Sequence, residues 1–458
     1  MSAVSRTPEE GLRRRFKPYP SYKVSGIEWL GEMPADWEAK RLKNCVQRLE
    51  SGGTPESDNF EYWTDDESGV PWVAISDMTR SFHIHDTAKR LTDRGLHSKH
   101  LPIVPSGTLL YSMYASLGKV ALLEIDAAVN QAILGVVTRN ELVLRDFLRW
   151  WLEFMQNHVQ LLSSSNTQDN LNADKVRKMP VFVPRPDEQR AIAAFLDRET
   201  ARIDALVAKK ERLIELLQEK RTALITRAVT KGLDPTVPMK DSGVEWLGEI
   251  PAHWDVNRTK FAARLRSGHT PSRQHPEYWV ECTIPWFGLA DVWQIRDGQV
   301  EYVYETSEKI SELGLANSAA RLLPKGTVML SRTASVGFSA IMGVDMATTQ
   351  DFANWVCGPT LRAEYMLYVF RSMQHEFRRL TMGSTHQTIY MPDVGRFSAP
   401  IPPLPEQELI VSVIRKEAAR IDTLIAKIRD AIERLKELRT ALISAAVTGK
   451  IDVRKEAA

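Results

Sequence analysis

A segment near the start of the chain returns in its second half. Residues 25–43 read SGIEWLGEMPADWEAKRLK, and residues 242–260 read SGVEWLGEIPAHWDVNRTK. Further matches follow each copy in the same order, as when GTLLYSMYASLGKVAL (107–122) returns as GTVMLSRTASVGFSAI (326–341). The two copies are much farther apart than the roughly 20–50 residues of solenoid repeats. The pattern therefore predicts a duplicated pair of domains with internal pseudo-twofold symmetry.

The closing segment of each repeat predicts a long helix. Residues 201–234 match residues 419–452, and apolar residues in both copies recur at spacings of three and four. This is the a/d pattern of a coiled coil. Because a long helix with one apolar stripe needs a partner, we expect the two helices to pack as an antiparallel coiled coil, the alternative being that each packs separately on its own domain. The predicted seam consists of Ile203, Leu206, Leu213, Leu217, Leu224, Ile421, Leu424, Ile428, Leu435, Leu438 and Leu442.

The stretches before the long helices are predicted to be globular. The runs MPVFVP and FSAPIPP are typical of strands, whereas RDFLRWWLEFMQNHVQLL and AEYMLYVFRSMQHEFRRL carry apolar residues at helical spacing. The predicted fold is α+β, with two similar mixed α/β domains joined by the two long helices. The expected segments are residues 1–24 (N-terminal segment), 25–184 (first globular domain), 185–241 (central long helix and linker), 242–402 (second globular domain) and 403–458 (C-terminal long helix).

Polar loops recur in both globular domains. They are SGGTP and SGHTP, YASLGK and RTASVGF, and SSSNTQDN and MGSTHQTIY. Their side chains suit phosphates and base edges, although turn formation alone would also favour glycine, serine and threonine there. The candidate DNA-contacting residues are Ser116, Lys119, Asn166 and Gln168 in the first repeat, and Arg332, Ser335, Ser384, Thr385, His386 and Gln387 in the second.

Composition and missing motifs argue against several protein classes. No Gly-x-Gly-x-x-Gly or Walker A motif occurs, and His83 and His85 form an isolated His-x-His, so neither a cofactor nor a metal is expected. The three scattered cysteines fit a reducing cytoplasm, and no apolar run predicts a secretory signal or a membrane span. The net charge of +2 means that a polyanion would have to be met by local surfaces. These observations favour a binding or scaffold protein over an enzyme.

The repeated SGIEWLGEMPADW segment, the SGxTP and RTASVGF loops, the GST loop and PPLPEQ before a long helix resemble the specificity subunit of type I restriction–modification systems. The resemblance covers nearly the whole chain. It implies two target-recognition domains that each read half of a bipartite site in double-stranded DNA, with a coiled coil that sets the spacer. It implies no catalytic activity in this subunit. The expected partners are two methyltransferase (modification) subunits and restriction/translocase subunits, which would bind S-adenosylmethionine, ATP and Mg²⁺.

The two repeats depart from each other within these loops. Arg332 has Met113 at the equivalent position, and SSNTQ stands where the second repeat has GSTHQ. Two other interpretations stay open from the sequence. One is a standalone methyltransferase or nuclease, which the missing cofactor and acidic metal motifs disfavour. The other is an adaptor whose duplicated domains bind protein without DNA specificity.

Overall fold

The computed structural model describes residues 8–114, 116–139, 141–159, 171–382 and 387–456. The chain divides into two compact units. Unit 1 is residues 1–210 with 430–458, and unit 2 is residues 211–429. Each unit contains one predicted globular domain and part of each long helix, so the expected segment boundaries stay a prediction. Among the described residues, no helix combines the length and apolar character needed to span a bilayer.

Unit 1 is a mixed α/β unit that includes the first part of α7. Its helices are α1 (Pro8–Arg15), α2 (Leu42–Cys45), α3 (Ile75–Arg80), α4 (Asp93–Ser98), α5 (Arg145–Gln156), α6 (Ala173–Lys178) and α7 (Pro186–Lys231). Its strands are β1 (Tyr22–Val24), β2 (Glu32–Pro34), β3 (Glu38–Arg41), β4 (Val46–Ser51), β5 (Trp63–Thr64), β6 (Val70–Val73), β7 (His83–Ile84), β8 (Lys89–Leu91), β9 (Leu109–Ser112), β10 (Val120–Leu123), β11 (Ala128–Val129), β12 (Ile133–Thr138) and β13 (Pro180–Val183).

Unit 2 follows the same plan. Its helices are α8 (Thr259–Ala262), α9 (Glu312–Ala316), α10 (Ala363–Ser372), α11 (Gln374–Thr381), α12 (Met391–Val394) and α13 (Leu404–Val447), with 3₁₀ helices at Pro276–Trp279 and Leu289–Ile295. Its strands are β14 (Met239–Asp241), β15 (Glu249–Pro251), β16 (Asp255–Arg258), β17 (Ala263–Ser267), β18 (Ile284–Phe287), β19 (Tyr302–Val303), β20 (Glu308–Ile310), β21 (Val328–Ser331), β22 (Ser339–Met342), β23 (Ala347–Thr348), β24 (Phe352–Cys357) and β25 (Ser398–Ile401).

The sheets of the two units have matching topology. A five-stranded sheet runs β4-β12-β9-β10-β7 in unit 1 and β17-β24-β21-β22-β19 in unit 2. The smaller sheet of unit 1 runs β11-β6-β8-β5. The corresponding sheet of unit 2 has three strands in the order β23-β18-β20, which match β11, β6 and β8. The two β-branched runs before the prolines form β13 and β25, which pair antiparallel with β3 and β16. The predicted duplication, α+β class, strands and helices at these places are therefore confirmed.

The long helices begin and end near the predicted residues. Pro186 opens α7, where proline is tolerated because the first amide has no partner within the helix. Both helices stop at a glycine that takes the left-handed conformation, with φ of 73° at Gly232 and 74° at Gly449. Each glycine lies against a buried tryptophan: a Cβ on Gly449 would be 3.2 Å from Trp37, and one on Gly232 would be 3.2 Å from Trp254.

The two long helices run antiparallel in each unit. In unit 1, Arg439 of α13 contacts Asp204 of α7 at 3.1 Å, and Arg454 beyond α13 lies near Glu188. In unit 2, the equivalent pair is Arg221 with Asp422 at 3.5 Å. Residues later in α7 therefore lie opposite residues earlier in α13. The antiparallel coiled coil that the repeats predict is present.

The predicted seam register is wrong at three positions. Leu206, Leu213 and Leu424 are between 42% and 44% exposed. Buried or half-buried residues instead follow an unbroken alternation of three and four. In α7 they are Ile203, Val207, Lys210, Ile214, Leu217, Arg221, Leu224 and Ala228, and in α13 they are Val411, Ile414, Ala418, Ile421, Ile425, Ile428, Ile432, Leu435, Arg439, Leu442 and Ala446. Among the other predicted positions, Leu438 is half-buried beside this stripe.

Charged residues explain the error. Lys210, Arg221 and Arg439 lie at inward positions of the seam. Because a charged residue is not expected there, the sequence pattern assigns leucines at the neighbouring positions to the seam instead. Their aliphatic stems can lie along the seam while the charged ends reach outward. Arg439 donates to Glu153 at 2.7 Å as well as to Asp204, and Arg221 donates to the carbonyl of Gly298 at 2.8 Å.

A buried glutamine fixes each globular domain to the start of its long helix. In unit 1, the Gln189 side chain accepts from the Leu144 amide at 2.7 Å and donates to the Leu142 and Pro184 carbonyls. In unit 2, Gln407 repeats the pattern with the Arg362 amide and the Thr360 and Pro402 carbonyls. Both glutamines are fully buried. Because the partners are main-chain groups, this clamp tolerates variation in the domain sequence.

Gln407→Leu is expected to lower the free energy of unfolding by about 3 kcal/mol, because three buried main-chain groups lose their partner. The side chain changes little in size, so the loss reflects hydrogen bonding rather than a cavity. Thermal unfolding followed by circular dichroism measures the effect. Gln299→Leu, at an exposed glutamine of the same unit, is the matched control and should change stability by less than about 0.5 kcal/mol. Equal behaviour of the two variants would contradict the clamp.

The two ends of the described chain meet within unit 1. The Asp452 amide donates to the Lys17 carbonyl at 2.8 Å, and the Tyr22 hydroxyl donates to the Gly449 carbonyl at 3.1 Å. Phe16 packs edge-on against Phe195 of α7, with ring centroids 5.3 Å apart. In unit 2 the equivalent places, the end of a long helix and the start of a globular domain, are joined covalently by residues 232–242. The duplication is thus nearly cyclic.

A permuted chain that begins at Thr236, passes from Ala458 to Met1 through a short glycine–serine linker and ends at Pro235 is expected to fold. The new break falls in an exposed turn, and such positions tolerate interruption. Its melting temperature should stay within a few degrees of the parent. Breaking the chain at Val229, which is fully buried inside α7, is the control and should prevent folding. Failure of both permutants would contradict the cyclic arrangement.

Candidate nucleic-acid interface

Three loops meet at one end of the five-stranded sheet in each unit. In unit 2, Ser267 at the end of β17 pairs with Ala353, and Ser331 at the end of β21 pairs with Phe352. Unit 1 repeats these pairings with the ends of β4 and β9 against the start of β12. The recurring SGxTP loop and the loop after β9 or β21 therefore lie beside the turn that precedes the long strand. We call this set the loop cluster; it comprises residues 52–55, 112–114, 116–119 and 130–132 in unit 1, and residues 268–271, 332–338 and 349–351 in unit 2. In unit 2 a fourth segment, residues 387–389, joins it.

In unit 2 the loop cluster is joined through Gln350. The Thr270 hydroxyl donates to Gln350 Oε1 at 2.7 Å. The Arg332 guanidinium donates from Nη2 to the Gln350 carbonyl at 2.6 Å and from Nη1 to the Ile389 carbonyl at 3.3 Å. One arginine thus ties the loop after β21 to two other loops. Both contacts are with carbonyl oxygens, which do not neutralise the positive charge.

The segment before α12 adds a short bridge to the same loop. The Ala334 amide donates to the Gln387 carbonyl, and the Ile389 amide donates to the Arg332 carbonyl, both at 2.8 Å. Ala334 is exposed and has a φ of 58°, in the left-handed region that disfavours residues with a Cβ. The bridge holds this conformation in place. Ser335 and Gln387 flank it, half-buried and exposed respectively.

In unit 1 the same strand pairings frame the described part of the loop cluster, and several of its side chains differ. Asn130 donates from Nδ2 to the Thr54 hydroxyl at 3.1 Å, which joins the SGGTP loop to the turn before β12. The Ser112 hydroxyl donates to the Ser116 carbonyl and accepts from the Lys119 amide. Met113, the counterpart of Arg332, is buried at 4% exposure. The frame is shared although its chemistry differs.

Close packing and two tryptophans hold the SGxTP loop. A Cβ on Gly52 would lie 2.0 Å from the Val129 carbonyl oxygen, and one on Gly268 would lie 2.2 Å from that of Thr348, so only glycine fits. Trp72 donates from its indole to the Gly53 carbonyl at 3.0 Å, and Trp286 donates to the His269 carbonyl at 3.1 Å. The loop is therefore built identically in both units.

The structure brings some of the predicted residues together. Arg332, Ser335 and Gln387 lie in the loop cluster of unit 2, and Ser116 and Lys119 lie in that of unit 1. Their contact with DNA stays a prediction. The candidates Asn166, Gln168, Ser384, Thr385 and His386 lie outside the described residues.

Sequence reasoning missed the turn before the long strand. Gln131 in AVNQAI and Gln350 in ATTQDF occupy the same place in the two repeats and are both exposed. The sequence feature that could have identified them is a glutamine that occurs in both repeats shortly before the long strand. Thr54 and Thr270, within the quoted SGxTP loops, were also left out of the candidate list.

The loop cluster offers hydrogen-bond donors and acceptors rather than reactive groups. Within the residues that the structure covers, no three histidine, cysteine, aspartate or glutamate side chains gather as metal ligands. Hydroxyl, amide and guanidinium groups on a rigid frame suit recognition of a polar surface.

Comparison with known proteins agrees with this geometry. The sequence model of the family described as type I restriction modification DNA specificity domain matches residues 34–216 and again residues 251–434. The type I restriction enzyme MjaIX specificity subunit of Methanocaldococcus jannaschii is 22% identical over 442 residues, which are 93% of this chain and 96% of that one. The EcoR124I/EcoR124II specificity subunit of Escherichia coli is 23% identical over 306 residues, 65% of this chain and 68% of that one.

Solved structures share the fold. A chain from work on complex assembly and conformational transition of the type I R-M system superposes with a TM-score of 0.69 at 17% identity, covering 92% of this chain and 99% of that one. The HsdS subunit from Thermoanaerobacter tengcongensis superposes with a TM-score of 0.52 at 17% identity, covering 92% and 98%. Two matched domains, the duplicated loop cluster and the antiparallel helices lead to one assignment: the chain belongs to the type I restriction–modification DNA specificity family.

Proposed function

We propose that this chain is the sequence-specific DNA-binding subunit of a type I restriction–modification complex. Each globular domain would read one half of a bipartite target, and the two long helices would set the number of unread base pairs between the halves. The observation that carries the proposal is the loop cluster, which has one backbone frame in both units but different side chains at Met113 and Arg332. A shared frame with different surfaces suits two readers of different half-sites.

The same duplication supports two copies of one partner. Each long helix offers a groove along its C-terminal part. Glu215, Glu219, Thr222 and Thr226 line the groove on α7, and Glu433, Glu437, Thr440 and Ser444 line the one on α13. These positions are equivalent in the repeat, so two similar modification subunits could dock on similar surfaces of one asymmetric chain. Restriction subunits would join through that complex.

In this proposal the chain itself contributes no catalysis. S-adenosylmethionine, ATP and Mg²⁺ would bind to the modification and restriction subunits. The support is the family to which the chain belongs, because the relatives that it matches are named specificity subunits.

DNA binding by the chain in complex with its modification subunits tests the proposal. We expect specific binding that weakens as salt concentration rises, because phosphate contacts release counterions. Modification subunits without the chain are the control and should bind DNA without sequence preference. Equal affinity for all duplexes with the chain present would instead support a protein-binding adaptor.

A further inference from the structure

Residues of the loop cluster fall into two classes. Three polar positions are the same in both units: Thr54 and Thr270, Ser116 and Ser335, and Gln131 and Gln350. Others differ: Gly53 and His269, Met113 and Arg332, and Lys119 and Phe338. If the units read different half-sites, a residue common to both cannot account for the difference. A recurring residue serves either the shared fold, as Thr54 and Thr270 do, or something that both half-sites share.

Gln350 is held through its side-chain oxygen and its main-chain carbonyl. Its Oε1 accepts from the Thr270 hydroxyl, and its main-chain carbonyl accepts from Arg332 at 2.6 Å. The side chain is exposed. With the oxygen engaged, the two N–H groups on Nε2 remain as donors. The backbone and one end of the side chain are thus fixed before any ligand arrives.

Gln131 occupies the same position on an equally fixed backbone. Its neighbour Asn130 is held three times: its amide donates to the Val73 carbonyl at 3.0 Å, its Nδ2 donates to Thr54, and its Oδ1 accepts from the Ala132 amide at 2.7 Å. The Gln131 side chain is exposed and has no hydrogen-bond partner among the described residues. The structure of unit 1 does not require this amide, so its recurrence calls for another explanation.

The feature that all DNA half-sites share is the phosphate backbone. Glutamine amides donate well to phosphate oxygens, and such contacts fix register without reading sequence. A neutral donor also suits this place, because it needs no counter-charge when DNA is absent. We propose that Gln131 and Gln350 donate hydrogen bonds to phosphate oxygens of the DNA backbone, one in each half of the target. They contribute affinity without sequence preference, whereas base reading is left to residues that differ between the units, such as His269 and Lys119. This inference rests on the proposed function.

Glutamine-to-leucine variants test it in the complete chain bound to its modification subunits. Gln131→Leu and Gln350→Leu keep the side-chain size and remove the donor. Each is expected to weaken binding of the cognate duplex about tenfold, the scale of one hydrogen bond to a charged group. The losses should multiply in the double variant, since the sites lie in separate units. The methylated motif should be unchanged.

A charge test and a matched control sharpen the experiment. Gln350→Glu should weaken binding more than Gln350→Leu, most of all at low salt, because its carboxylate repels phosphate. The slope of log affinity against log salt should then shrink by about one unit. Gln299→Leu, outside the loop cluster, should bind like the parent chain.

Two results overturn the inference. One is a change of a base in either half of the motif, which would make the glutamine a base reader. The other is binding by the leucine variants that equals that of Gln299→Leu. Failure of the proposed function is distinguishable, because the parent chain would then confer no sequence-dependent binding, and both ideas would fall together.

Discussion

Replacing residues 25–184 with the equivalent domain of a relative is expected to change one half of the methylated motif completely. The other half and the gap should stay as they are. The exchanged segment begins between the paired strands β1 and β2 and ends after β13. It contains both β3 and β13, in which Glu38 lies opposite Val183. Gln189 holds the domain through main-chain groups alone. The Gln189 contacts therefore do not depend on the side chains of the sequence that is exchanged.

Side-chain contacts with both long helices must be kept in that exchange. Glu153 accepts from Arg439 of α13 at 2.7 Å. Arg149 and Trp150 both donate to Asp197 of α7, at 3.0 and 3.1 Å. A donor domain that lacks these groups should carry them as substitutions. Exchange of residues 242–402 is the reciprocal control and should alter the other half of the motif. If either exchange changes both halves, the two units do not read independently.

Lengthening both long helices by three heptads is expected to lengthen the unread gap and leave both half-sites unchanged. Twenty-one residues add about 32 Å of helix, which is the length of about nine base pairs. We take nine as the upper limit of the increase. Insertion of whole heptads keeps Ile214 and Ile428 in the inward stripe of the coiled coil. A gap that grows by nearly one turn of DNA keeps the two half-sites on the same side of the duplex.

Insertion into α7 alone is the control for this experiment. Lengthening only one helix would prevent Arg439–Asp204 and Arg221–Asp422 from pairing at the same time. Chain-dependent methylation should therefore be lost. The readout in both cases is the methylated motif. A changed half-site with an unchanged gap would show that the helices do not set the spacing.

Much of the fold follows from local sequence patterns. The duplicated segments, the strands before the prolines and the helices at residues 145 and 363 all appear where predicted, and both long helices end at a glycine. Each depends on residues that are near in sequence: β-branched runs, helical spacing, or a glycine after the last turn. Such features can be read without knowing what the segment packs against.

The seam register and the site depend on partners distant in sequence. Lys210, Arg221 and Arg439 look like surface residues until the opposite helix is in place. Asp197 and Arg415 occupy equivalent positions with opposite charge, because one meets Arg149 and Trp150 while the other meets Glu301. Burial opposes ionisation of Glu301, but hydrogen bonds from Arg415 and Tyr368 outweigh it and hold its pKa below the usual range. No local pattern indicates which partner is present.

Gln131 and Gln350 illustrate the same limit. Each precedes a strand in an ordinary turn, and its importance appears only when strand pairing brings the SGxTP loop and the loop after β9 or β21 to the same sheet end. The structure brings some of the predicted loops together, and their contact with DNA stays a prediction. The choice of single side chains depends on the register of the sheet.

Methylation mapping in cells that express the modification subunit with and without this chain tests the central claim most directly. The account predicts a bipartite methylated motif with a fixed gap that appears only when the chain is present. Absence of any chain-dependent motif, in cells where the two proteins are shown to be expressed and bound to each other, would contradict it.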